Sequence, residues 1–176
     1  IMLKPDYPDA HTNLGLAFLL NSEYEKGWLE YEYRFKQLEK SIIHHANPPI
    51  PKFNGETLPS RRPLLVVSEQ GLGDTIQFMR YIPYLKQQGF DVSFCAQSKL
   101  HSLIKESNIV SNPLTPEQGN IVSEGEWIPL LSVPRFLGVT PENPIVIDPY
   151  IKSSAKLTQK WNAILSKEKA PIIGIN

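Results

Sequence analysis

Pro63-Leu64-Leu65-Val66-Val67-Ser68-Glu69-Gln70-Gly71-Leu72-Gly73-Asp74-Thr75-Ile76-Gln77-Phe78-Met79-Arg80-Tyr81-Ile82-Pro83 is the stretch on which the fold turns. Its first five residues are almost continuously apolar, the pattern of a strand covered on both faces in a parallel sheet. After the Gly-Leu-Gly-Asp loop, Ile76, Phe78, Met79, Ile82 and Leu85 recur at helical spacing, and Gly89 supplies the stop. Pro83 inside that pattern predicts a kink or a split after Ile82. Phe90-Asp91-Val92-Ser93-Phe94-Cys95-Ala96 reads as the next strand, so the unit is β-loop-α-β with a right-handed crossover expected. A short helix over 99–106 and a strand-like 108–110 continue the alternation. The fold class is α/β with a mainly parallel sheet.

The loop falls at the carboxyl end of the first strand, where open α/β sheets place their ligands. Gly71 and Gly73 permit a tight turn and a close backbone approach, and the next helix presents free N–H groups there. Glu69 and Gln70 are polar residues at the mouth of a buried strand, which marks them as candidates for binding. Asp74 and Gln77 form an Asp-x-x-Gln capping box, enough by itself to explain an acid at a helix start. A dinucleotide-binding oxidoreductase is the weakest reading. The third glycine is missing, and Ala96-Gln97 stand where the ribose-binding acid belongs. No Gly-Lys-Ser/Thr follows, so the loop is not a phosphate-binding P-loop.

Upstream, Ala10, Leu14, Ala17, Phe18 and Leu20 give a helix over 9–21, and Asn21-Ser22 breaks it. A second helix is predicted over 23–38, with Tyr24, Gly27, Trp28, Tyr31 and Phe35 on one face. So short a turn makes the pair an antiparallel hairpin, in which Gly15 and Gly27 allow close approach. The aromatic stripe reads as core packing, and the Glu/Tyr/Lys-rich outer face as a solvated surface. Residues 39–62 carry Asn47-Pro48-Pro49, Pro51, Asn54-Gly55 and Pro59, which suppress helix and central strand alike. His44-His45 have no cysteine or carboxylate at ligand spacing, so no metal site is expected, and Arg61-Arg62 read as a solvated pair.

Composition narrows the classes further. Lys+Arg and Asp+Glu each total 18 in the 176 residues, and this balance argues against a partner bound through phosphate neutralisation, hence no nucleic acid. Hydrophobic residues make up 41%, as in ordinary globular chains, and no apolar run is long enough to span a membrane. The single cysteine, Cys95, excludes an internal disulfide and fits a reducing, cytoplasmic setting. Ile1 precedes the first methionine, and Pro171-Ile172-Ile173-Gly174-Ile175-Asn176 reads as a buried strand with nothing after it, so the chain is expected to be a piece of a longer protein.

Leu14-Gly15, Phe18, Tyr24, Gly27 and Tyr31 are similar to the tetratricopeptide (TPR) pattern, with His11 in place of its tryptophan and Leu3-Lys4-Pro5 like the close of a preceding repeat. Followed by Phe53-x-Gly55-Glu56 and then Glu69-Gln70-Gly71-Leu72-Gly73-Asp74, the order of parts resembles a bacterial family in which TPR arrays precede a glycosyltransferase-like domain. That domain is similar to the GT-B fold of the heptosyltransferases and, more distantly, of the O-linked GlcNAc transferases. Trp127-Ile128-Pro129-Leu130-Leu131-Ser132-Val133-Pro134, Pro149-Tyr150-Ile151 and Trp161 extend the resemblance.

The resemblance implies a TPR hairpin over 1–38, a proline-rich linker over 39–62, the Rossmann-like acceptor-side half of a GT-B enzyme over 63–153, and a helix and first strand of a second domain over 154–176. It implies an inverting transfer from a nucleotide-sugar held by that second domain, with no cofactor in this chain. Asp74 corresponds to the aspartate proposed as general base, and Glu69, Gln70, Gly71, Gly73 and Ser132 line the acceptor side. The implied partners are a sugar or protein acceptor and a peptide bound by the helical repeat. The competing reading is a TPR scaffold whose α/β part performs no chemistry.

Overall fold

The computed structural model describes residues 4–37, 44–53 and 63–167. Two helices open the chain, α1 (Pro8–Leu20) and α2 (Tyr24–Tyr31), with Pro8 in the first turn where its missing N–H costs nothing. They run antiparallel and nearly touch. A Cβ on Gly15 would stand 2.6 Å from the Tyr31 backbone nitrogen, and one on Gly27 would stand 2.7 Å from the Leu19 side chain. The second helix is shorter than its predicted span, passing at Glu32 into a 3-10 turn, Glu32–Lys36. Arg34 lies within that turn and is 2% exposed.

The strands β1 (Leu64–Val67), β2 (Val92–Cys95) and β3 (Glu126–Pro129) form a parallel sheet in the order β2-β1-β3. The chain is therefore mixed α/β with a parallel sheet. β1 is central and buried throughout, which is why its sequence shows no alternation. Leu64 and Val66 face one core with Met79, Ile82, Leu85, Phe94 and Ile104, while Leu65 and Val67 face a second with Ala46, Ile50, Cys95 and Trp127. Burying a side chain such as Leu64 contributes about 1.5–3 kcal/mol. The prolines at 48, 49 and 51 do not keep their segment off the sheet. Phe53 donates to the Trp127 carbonyl (2.8 Å) and Trp127 to the Pro51 carbonyl (3.0 Å), so 51–53 shield the outer edge of β3.

The helical span after β1 is split, though not after Ile82. It divides into α3 (Leu72–Phe78) and α4 (Tyr81–Gln87), and the break upstream puts Pro83 in the first turn of α4, where its N–H is not needed. Gly89 ends α4 at φ +87°, with its N–H on Lys86 and that of Phe90 on Leu85, the paired bonds of a Schellman turn. α5 (His101–Glu106) ends the same way through Asn108 at φ +56°, so 108–110 are a helix stop rather than the expected strand. The short helices α6 (Pro116–Gly119) and α7 (Val133–Phe136) flank β3, and α8 (Ala155–Leu165) buries none of its residues. The strand expected at 171–176, the Gly55-Glu56 pair and Arg61-Arg62 lie outside the described residues.

Candidate functional site

The loop after β1 leaves the sheet at its carboxyl edge. Ser68 is fully buried, its N–H on the Cys95 carbonyl (2.8 Å) and its own carbonyl accepting from His45. The turn that follows is made by Gln70 at φ +64°, not by a glycine. Gly71 lies at φ −81°, and Gly73 needs no special backbone conformation either. A side chain in the left-handed region costs free energy and persists only where its surroundings fix it. Here those surroundings are Gln97 at the end of β2, whose amide faces the carbonyls of Gln70 and Gly71 at 3.5 Å and whose oxygen accepts from Thr75 (2.9 Å).

Asp74 does guard the start of α3, but from the third helical position rather than as the cap residue, and not with Gln77. Its Oδ2 accepts from the Gly71 N–H at 3.0 Å, and Oδ1 has no partner among the described residues. The carboxylate is thus held at one oxygen and free at the other, half-buried at the sheet edge. Beside it Gly73 is bare, since a Cβ there would meet nothing within 4 Å. Nothing within the described protein requires a glycine at that position.

Two of the residues expected to face a ligand do not. Glu69 is 0% exposed and Ser132 1%. Glu69 receives Arg34 through two parallel hydrogen bonds, Nε to Oε2 (3.1 Å) and Nη2 to Oε1 (3.0 Å), and accepts from the Leu131 N–H (3.0 Å). Ser132 accepts from Arg34 Nη2 (2.8 Å) and donates to Glu32 (2.7 Å), which also receives Arg34 Nη1 (3.0 Å). The guanidinium stacks near Phe35 and Tyr31 as well. Burial works against the Arg34 charge, but Glu69 and Glu32 outweigh it and hold the group above its ordinary value. Glu69 and Ser132 therefore build the platform beneath the loop rather than line a cleft.

Gln70 and Gly71 do face outward. With His45, Gln97, Ser98 and Lys99 they border an open groove of about 460 Å³ across the ends of β1 and β2. Lys52 lies on the other side of the network, over the Phe35 ring at 3.4 Å, and burial lowers its pKa. His44 stacks on Phe35 and meets Trp127 edge-on, and burial lowers its pKa too. Among the described residues no cluster of His, Cys, Asp or Glu has the makings of a metal site, and no helix is long and apolar enough to cross a membrane.

Arg34, Thr75 and Gln97 are the residues that sequence reasoning missed. The signal for Arg34 was indirect: a carboxylate such as Glu69 at the mouth of a buried strand needs a cation, and none stands near it in sequence. Comparison with protein-family models, with curated proteins and with solved structures returned no match.

Proposed function

We propose that this chain is the acceptor-side part of an inverting glycosyltransferase in which Asp74 is the general base. The observation that carries the reading is the pairing of a half-buried carboxylate, free at one oxygen, with the bare backbone of Gly73 at the carboxyl edge of a parallel sheet. The open space over Gly73 leaves room for an acceptor hydroxyl beside Asp74. The hydroxyl oxygen attacks the anomeric carbon, its proton passes to Asp74, and the bond to the nucleotide diphosphate breaks with the electron pair leaving on phosphate. The hydrogen bond from Gly71 keeps the carboxylate in place for this step.

In this reading the hairpin α1–α2 is a TPR unit, the sheet is the Rossmann-like first half of a GT-B enzyme, and the nucleotide-sugar is held by a further domain. The setting is cytoplasmic, with a sugar or protein as acceptor. The test is incubation of the longer protein with a panel of UDP-, GDP-, ADP- and CMP-sugars, reading nucleotide release and the anomeric configuration of the product. Transfer with inversion supports the reading. Absence of transfer across the panel contradicts it and favours a scaffold, for which the exposed Leu16, Leu20 and Leu29 of the hairpin provide apolar surface.

A further inference from the structure

Arg34 belongs to the helical segment, yet Glu69, which it holds, begins the loop, and Ser132 follows β3. The loop thus takes its position from an element 35 residues away in sequence. Besides Arg34, the hairpin meets the sheet unit through Trp28, whose Nε1 donates to the Val139 carbonyl (3.0 Å), and through Tyr24 and Tyr31, half-buried against the core. Were the hairpin to lift away, Glu69 would lose both guanidinium bonds and keep only the Leu131 N–H, with water entering where Arg34 stood. A carboxylate held by one donor is fixed far less firmly than one clamped by a two-pronged guanidinium as well.

We propose that docking of the hairpin switches the loop. With Arg34 seated, Glu69 is pinned, Gln70 is held in its left-handed turn, and Gly71 meets Asp74. With the hairpin undocked, Glu69 loosens on its one remaining donor, Gln70 relaxes, and the Gly71–Asp74 contact is lost. This rests on the reading of the Asp74 loop as the working site and names its regulation: whatever binds or displaces the hairpin controls the carboxylate. Arg34 is a positioning residue here, since it acts on Asp74 only through Glu69 and the turn.

The readout is the Gly71 amide in NMR spectra of the intact chain. Its proton is donated to the Asp74 carboxylate, so its shift follows the ionisation of that group. The expected result is a pH-dependent Gly71 shift in the wild type that is lost in Arg34→Lys, while the amides of β1 keep their exchange protection. Trp28→Phe removes a docking bond without touching Glu69 or Asp74, and is expected to weaken the signature in the same direction. It carries the test if Arg34→Lys does not fold. An unchanged Gly71 signature in the variants overturns the proposal, as does a wild-type Gly71 shift that ignores pH. Loss at Gly71 accompanied by equal loss of protection in β1 overturns it too, being global unfolding. No substrate enters this experiment, so a longer protein that transfers no sugar removes the enzymatic reading and leaves the coupling standing.

Discussion

Arg34 and Glu69 lie 35 positions apart and meet through two hydrogen bonds, at 3.1 and 3.0 Å, with the arginine 2% and the glutamate 0% exposed. A pair this deep contributes little relative to apolar residues of the same shape, but removing one partner strands the other. Glu69→Leu and Arg34→Met should each destabilise the protein by about 3–5 kcal/mol. The double variant Arg34→Met/Glu69→Leu should cost less than the sum. Urea unfolding of the four proteins measures the cycle, and strictly additive losses would mean that the pair is not coupled.

His11 gives the hairpin a pH dependence. Its two ring nitrogens face the Pro5 carbonyl and the Glu30 carboxylate, both acceptors, so the bound form is the imidazolium. The Pro5 carbonyl foremost, and Glu30 next, raise its pKa above the usual 6.5. The folded state therefore binds this proton more tightly than the unfolded chain. The contribution is complete below about pH 6.5 and fades as pH rises through the folded-state value. Denaturant midpoints recorded from acid to alkaline pH should fall across that window, and His11→Phe should flatten the decline.

Glycines at different places should respond oppositely to alanine. Gly15→Ala forces a methyl to within 2.6 Å of backbone and should cost roughly 1–3 kcal/mol. Gly73→Ala meets nothing and sits in a helix, so it should stabilise by about 0.5–1 kcal/mol. The same change should depress sugar transfer, because it covers the backbone that the acceptor approaches. Thermal unfolding alongside turnover checks the pair, and an unimpaired Gly73→Ala enzyme would dissociate Gly73 from the site.

Cys95 ends β2 and is buried in the second core, and burial pushes its thiol up to about 11. It should resist alkylation at neutral pH in the folded protein and react at once in denaturant. Rapid labelling under native conditions would place it on an accessible surface.

β1 and β2 were legible because a strand buried on both faces must be continuously apolar, as 63–67 are, and because Gly89 marks a helix end by its backbone requirement, whereas β3, a four-residue strand ending on Pro129, was not read as a strand. The close helix approach could be read from Gly15 and Gly27 for the same steric reason. Local rules failed where the deciding contact was distant. Arg34 reads as a surface residue until Glu69 and Ser132 are brought to it, and Glu69 reads as a ligand-facing acid until its partner is known. The turn assigned to the glycines belongs to Gln70, whose strain the loop's neighbours hold in place. Ile109 and Val110 look like strand but are the buried residues that close the stop of α5.

The general-base role stands or falls on Asp74→Asn, made in a protein that joins this chain to the nucleotide-sugar domain the reading requires. Asparagine keeps the size and the acceptor for the Gly71 N–H, so the loop geometry survives while the proton acceptor is lost. Turnover with the active nucleotide-sugar should fall by about 10²-fold or more at unchanged stability. Turnover within a few-fold of the wild type would contradict it, and would leave Asp74 as a helix-start residue alone.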